Sequence, residues 1–430
     1  MNDLIKLVPN LRFPAFIQDG EWKEQMLGSL FAFLPNNTLS RADLKEGKGD
    51  VYNVHYGDVL IKLDAYTDIQ RDKLPAIKTV DDIEKYRKAC LQDGDIVIAD
   101  TAEDETVGKC TEIVNVHNTL VVSGLHTIPC RPQIKFAQAY LGYYMNSNAF
   151  HNKLLPIMQG VKVTSISKSA LQNIDLEFPE SLEEQQKIAK CLSSIDSYIS
   201  SINEKVEQLK AHKKSLMQKL FPQKGKTVPV YRFPEFKELG MWTEKTLGDI
   251  GDVCMCKRIM KDETNINYSI PFYKIGTFGK KADTYITEEQ FNEYKAKYSY
   301  PQKGDILFSA AGTIGRYVEF DGEPAYFQDS NIVWIANDET LVCNKFLKYL
   351  YSKVQWNIDD GGVVKRLYND SIKKTSIQTP SLPEQQKIAG CLSSIDEAIR
   401  LYSEKSSLLE QQKKGLMQQL YPNFKIECYA

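Results

Sequence analysis

From Ile188 to Leu220 the apolar residues recur in steps of four and three: Ile188, Leu192, Ile195, Ile199, Ile202, Val206, Leu209, Leu216 and Leu220, with Lys213 filling the one slot that breaks the series. The same steps return at Ile388, Leu392, Ile395, Ile399, Tyr402, Leu409, Leu416 and Leu420, with Ser406 and Lys413 as polar intrusions. This spacing predicts two helices with heptad seams, each built to pack on another helix. Ser181 and Ser381 precede acidic first turns, Pro383 sits where a first-turn proline is tolerated, and Phe221-Pro222 and Tyr421-Pro422 mark the stops. At 1.5 Å per residue each helix would reach roughly 55 Å.

One apolar stripe is usually ordinary core. Here the whole segment is duplicated: residues 181–222 and 381–422 align without a gap and are identical at 25 of 42 positions, where unrelated chains would share roughly three. The openings repeat as well, at an offset of 220. Val8-Pro9, Arg12-Phe13-Pro14, Phe16, Trp22 and Leu27-Gly28 return as Val228-Pro229, Arg232-Phe233-Pro234, Phe236, Trp242 and Leu247-Gly248. The segments between barely match, apart from fragments such as Gly94-Asp95-Ile96 and Gly304-Asp305-Ile306. A duplicated frame around two divergent inserts implies one mechanical role and two recognition tasks. The simplest arrangement packs the two helices on each other antiparallel, with the halves related by a pseudo-twofold.

The inserts read as strand-rich. Asp95–Ala99, Leu120–Val122, Asp305–Phe308 and Asn331–Ile335 are short, β-branched or aromatic, and bounded by Gly, Asp or Asn, while helical patterns run over about 136–155 and 344–357. The expected fold class is α+β: two strand-rich domains separated by two long, coiled-coil-like helices. The expected boundaries are 1–180 for the first domain, 181–222 for the central helix, 223–380 for the second domain and 381–425 for the C-terminal helix.

At 430 residues and 42% hydrophobic, the chain has room for two or three domains with their own cores. No apolar run reaches membrane-spanning length, and residues 1–6 lead into no signal-peptide core. The nine cysteines are scattered, which points to a reducing, cytoplasmic setting. Cys254-Met255-Cys256 is too closely spaced for a zinc site and has no nearby His partner. Gly276-Thr277-Phe278-Gly279-Lys280 and Gly312-Thr313-Ile314-Gly315-Arg316 lack the spacing of a phosphate loop and read as turns. The five histidines form no metal or metalloprotease pattern. Nothing in the chain announces catalysis, and no metal or catalytic residue is assigned.

The string Leu382-Pro383-Glu384-Gln385-Gln386-Lys387-Ile388-Ala389 at the head of a long helix has a twin at Leu182. With the Gly-Asp-Ile and Gly-Thr-Ile-Gly turns of the inserts, it resembles the specificity subunit of type I restriction-modification systems. The resemblance covers essentially the whole chain, in the order domain, helix, domain, helix. Glu183 stands where the pattern carries proline, and Asp100–Glu105 with Val107-Gly108-Lys109 is similar to one class of target-recognition domain in that family. It implies a DNA reader that serves separate enzymes. Each target-recognition domain would read one half of a split, asymmetric double-stranded DNA site. The helices would hold the domains apart and dock two modification (methyltransferase) subunits, with restriction (motor-nuclease) subunits joining for cleavage. It also implies that this chain binds no cofactor: S-adenosylmethionine belongs to the modification subunit, and ATP and Mg to the restriction subunit.

Two other readings stand beside this one. A single-chain restriction-methylation enzyme would need an Asn/Asp-Pro-Pro-Tyr/Phe motif, and none occurs. A coiled-coil scaffold that binds only proteins is compatible with divergent inserts. The net charge of −2 and pI near 6.3 are low for a DNA reader, yet basic residues are grouped locally, and phosphate contacts made by partner subunits would supply much of the nonspecific affinity. Lys109, Arg131, Lys280, Lys281, Arg316, Gln328, Asn331, Lys365 and Arg366 are the candidate DNA contacts, because they lie in or beside turns and carry the donors that base edges and phosphates require. The candidates for helix pairing and partner docking are Ile188, Leu192, Ile195, Ile199, Leu209, Leu216, Ile388, Leu392, Ile395, Ile399, Leu409 and Leu416.

Overall fold

The computed structural model describes residues 7–160, 162–356 and 366–422. Both long helices form, over Leu182–Leu220 and Leu382–Leu420. The chain divides into two compact units, and the division cuts both helices mid-way instead of at their ends. One unit holds the residues up to Asn203 and those from Glu404 onward; the other is Glu204–Ser403. Each unit therefore contains one insert, the head of the helix that follows it and the tail of the other helix. Burial explains why the boundaries fall inside the helices: heads and tails both belong to the domain cores.

The helix heads show what the duplicated string is for. In the first unit Glu184 accepts two N–H bonds from the Arg12 guanidinium, both 2.8 Å, and Arg232 makes the same fork on Glu384 at 2.8 and 2.6 Å in the second. The next residue ties the head to the insert. Gln185 accepts from the Ala137 amide and donates to the Pro179 carbonyl, while Gln385 accepts from the Cys343 amide and donates to the Leu341 and Pro380 carbonyls. Lys187 and Lys387 lie over the Phe13 and Phe233 rings. The repeated opening and the repeated helix head are thus two halves of one clamp.

The tails close it from the other side. Leu11 donates its amide to Gln419 and Tyr231 to Lys219, both 2.9 Å. Trp22 stands edge-on to Tyr421 in the first unit, and Trp242 edge-on to Phe221 in the second. Ile188, Leu192 and Leu420 share one core with Tyr140, Tyr144 and Leu176, while Ile388, Leu392 and Leu220 share the other with Phe346, Leu347 and Ile377. A fully buried leucine in such a core contributes about 1.5–3 kcal/mol, so the duplicated seams pack on domains as well as on helices.

Within each unit the helix head runs antiparallel to the tail beside it. In the first, Lys413 pairs with Asp196 at 2.5 and 2.7 Å, and Ser406 donates to Asn203 at 2.8 Å. In the second, Lys213 pairs with Asp396 at 2.5 Å. The lysines that interrupt the seam in sequence are therefore interhelical ion-pair partners. Each aspartate also accepts a tyrosine hydroxyl from its domain, Tyr143 at 2.7 Å and Tyr349 at 2.8 Å. Among the expected pairing residues Ile188, Leu192, Ile199, Ile388 and Leu392 are buried, and Ile195, Leu209, Leu216, Ile395, Ile399, Leu409 and Leu416 are half-buried. Tyr402, expected in the seam, is 37% exposed; Ser406, expected as an intrusion, is 5% exposed because Asn203 satisfies it.

The inserts share a four-strand central order despite their divergent sequences, and the first adds a fifth strand, Tyr66–Asp68. The first unit's central sheet runs Phe31–Phe33, Thr127–Pro132, Ile96–Ala99, Cys110–Val114, Tyr66–Asp68; the second's runs Gly251–Cys254, Ile332–Asn337, Ile306–Ser309, Tyr317–Glu319. A further sheet places Leu120–Ser123 parallel to Val51–Val54, matched by Tyr326–Phe327 parallel to Ile270–Tyr273. The Gly-Asp-Ile fragments are a structural turn. The Gly94 amide donates to the Ile113 carbonyl and the Ile113 amide to the Asp95 carbonyl, as Gly304 donates to Phe320 and Phe320 to Asp305, and the aspartate side chains accept from the Gln92 and Gln302 amides, both 2.7 Å. The helix expected over 136–155 is two, Tyr140–Met145 and Asn148–Leu154, because Ser147 caps the second. The one expected over 344–357 ends at Leu350.

Candidate nucleic-acid interface

One end of each central sheet carries side chains that vary between the two units on the same backbone bonds. In the first unit Ala99 closes a turn with Gly108 and Lys109, the Asp100 amide donates to the His126 carbonyl, and the Ile166 amide donates to the Asp100 carbonyl. In the second, Ser309 closes a turn with Gly315 and Arg316, the Ala310 amide donates to the Asn331 carbonyl, and the Leu367 amide donates to the Ala310 carbonyl. Gly124 bonds to the Val54 carbonyl as Gln328 bonds to the Tyr273 carbonyl, and Ser165 bridges to Thr101 as Arg366 bridges to Ala311. By these bonds Lys109 corresponds to Arg316, His126 to Asn331, Gly124 to Gln328 and Ser165 to Arg366.

In the second unit this end gathers most of the sequence candidates. Arg366 donates to the Ser330 carbonyl at 2.8 Å, the Ser330 hydroxyl at 2.7 Å and the Asn331 Oδ1 at 3.0 Å. Gln328 accepts from the Ile275 amide at 3.1 Å, and Arg316 donates to the Phe278 carbonyl at 3.2 Å. Those two bonds tie down the loop that carries exposed Lys280 and Lys281. Gly312-Thr313-Ile314-Gly315 is a turn, as expected, held by the Ser309 hydroxyl, which donates to the Thr313 carbonyl and accepts from the Arg316 amide. Arg258, 65% exposed, joins this end through Asp329 at 2.9 Å. Lys365 lies outside the described residues.

The first unit separates its candidates. Lys109 sits at the equivalent end but turns inward, donating to the Leu60 carbonyl at 3.0 Å, and burial depresses its pKa. Arg131 is at the opposite end of the Ile96–Ala99 strand. Its fork is committed to the fully buried Asp95, with two bonds of 2.7 Å, and to the Cys90 carbonyl, which leaves it a structural residue there. In its place the variable end presents His126, whose ring is edge-on to Tyr56 at 5.3 Å and whose Nδ1 is 3.5 Å from Asp100 Oδ1. The sequence held a signal for this correspondence in Gly160–Ile166 against Gly361–Leu367, two stretches that share Gly and Val at matching places. Without the strand pairing nothing linked either stretch to His126.

Among the described residues no group of three or more His, Cys, Asp or Glu side chains could hold a metal, and no helix is long and apolar enough to cross a membrane.

The type I restriction modification DNA specificity domain model matches twice, over residues 19–211 and 240–411. The chain belongs to this family. It is a type I specificity subunit with two DNA-recognition domains, and the match leaves the protein-only scaffold without support. A protein of Haemophilus influenzae that carries the name of a type I restriction enzyme specificity subunit is 40% identical over 324 residues, 75% of this chain and 78% of that one. A relative of the same description from Methanocaldococcus jannaschii is 27% identical over 356 residues, 78% and 79% of the two chains. The crystal structure of the type I system S subunit from M. genitalium matches with a TM-score of 0.59 at 14% identity, over 97% of this chain and 100% of that one; this likeness concerns the fold.

Proposed function

We propose that each unit of this specificity subunit reads one half of a split, asymmetric DNA site, and that the duplicated helices dock two modification subunits. The observation that carries this reading is the pair of variable sheet ends. Identical backbone bonds frame His126 and Ser165 in one unit and Asn331 and Arg366 in the other, beside turns closed at Lys109 and Arg316. Polar donors and acceptors held on a common frame suit base-edge readout, while a duplicated clamp suits two copies of one partner. Methyl transfer then falls to the modification subunit with its S-adenosylmethionine, and cleavage to restriction subunits with ATP and Mg. This chain orients the DNA and does no chemistry.

Replacing residues 25–180 by another target-recognition domain, followed by sequencing of methylated adenines in the assembled complex, tests this. One half of the modified motif should change while the other persists. A change in both halves, or in neither, would refute the assignment of one unit to one half-site. The purified chain with S-adenosylmethionine and DNA should transfer no methyl group until a modification subunit is added.

A further inference from the structure

We infer that the first unit reads its bases through the imidazole of His126, seated between Tyr56 and Asp100; this rests on the DNA-reading function proposed above.

Three observations converge on this residue. His126 occupies the turn that corresponds to Asn331 in the second unit, and the chemistry changes there while the backbone bonds do not. A site that evolves specificity behaves in this way, because side chains are replaced on a fixed frame. The turn also carries a left-handed residue in each unit, His126 itself with φ 54° and, one position before Asn331, Ser330 with φ 53°. Non-glycine residues keep such a conformation at a cost, and they do so where the geometry is used. Finally, the ring is 48% exposed yet held: Tyr56 meets it edge-on, His55 packs behind Tyr56 at 4.7 Å, and the Thr101 hydroxyl fixes Asp100 Oδ1 at 2.7 Å.

The chemistry follows from Asp100. Its Oδ1 lies 3.5 Å from Nδ1, so a neutral imidazole with its proton on Nδ1, toward the carboxylate, has Nε2 as its acceptor. An acceptor in the major groove selects a base edge that donates, which is the exocyclic amine of adenine or cytosine. The second unit's end, with Arg366, Asn331 and Gln328, offers donors as well and so selects a different pattern.

His126→Gly is the informative variant, because glycine removes the ring and relieves the left-handed backbone, so the turn keeps its shape. The complex of this chain with its modification subunit is assembled with wild-type or variant chain. Binding is then measured on duplexes carrying single substitutions across both half-sites of the motif found by methylation sequencing. Discrimination should fall about tenfold at one or two positions of the first half-site and stay unchanged in the second. His126→Asn, which tolerates the same φ, should keep assembly and alter the preferred base. If H126G discriminates like wild type at every position of both half-sites, the inference fails; so it does if the loss is equal in both. A wild-type complex with no sequence preference at all would instead overturn the DNA-reading function itself.

Discussion

The clamp between opening and helix head makes a sharp quantitative claim at Glu184. Its carboxylate is 1% exposed and accepts two bonds of 2.8 Å from Arg12, whose side chain is 7% exposed. Glu184→Gln keeps the shape but removes the charge and one acceptor. An exposed ion pair would register about 0–1 kcal/mol, whereas leaving one partner of a buried pair uncompensated costs about 3–5 kcal/mol. The guanidinium keeps its bonds to the Gly20 and Asp19 carbonyls, which argues for the lower end, about 3 kcal/mol. Set against a typical domain stability of about 5–15 kcal/mol, that leaves the first unit marginal. Hydrogen exchange reads the two units separately. Amides over 7–33 should exchange roughly 100-fold faster in E184Q while those over 227–254 keep their wild-type rates, and E384Q should invert the pattern. Combining E184Q with Arg12→Met should cost less than the sum of the single changes, because the two groups act as one unit. A cost below about 1 kcal/mol, or equal acceleration in both units, would show that the pair is not what locks the opening to the helix.

Glu112, 2% exposed and accepting from the Ala139 and Gly142 amides, is pushed up to about 7 by burial from an ordinary 4.5. A carboxyl with a raised folded pKa binds more protons folded than unfolded, so the first unit should lose stability as pH rises from about 4.5 to 7 and level off above that. Urea midpoints across that range should show the slope in wild type and lose it in Glu112→Gln. Gly315, at φ +77°, faces Trp356, and an added Cβ would lie 2.3 Å from the indole Nε1, while one at Gly276 would meet nothing within 4 Å. Gly315→Ala should therefore cost at least about 1–2 kcal/mol from the left-handed backbone alone, against no measurable change in Gly276→Ala, as thermal unfolding would register.

The long helices were legible because their information is local and written twice. A four-three step of apolar residues, caps at Ser181 and Ser381 and prolines at the stops need no partner to be read, and the 42-residue duplication tied the two helices to one frame. The strands at Ile96–Ala99 and Ile306–Ser309 were visible as short apolar runs for the same reason. Partnership was not legible. Lys213 and Lys413 looked like faults in a seam until Asp396 and Asp196 stood opposite them, and Arg131 looked like a DNA contact until Asp95 took its fork. His126 had no distinguishing context in the sequence. Its place opposite Asp100, and its correspondence to Asn331, exist only once strands far apart in the chain are paired, because hydrogen bonding, desolvation and charge depend on distance in space. Periodicity and repetition determined the frame of this protein; tertiary packing decided which of its polar groups are bound inside that frame and which are left exposed on it.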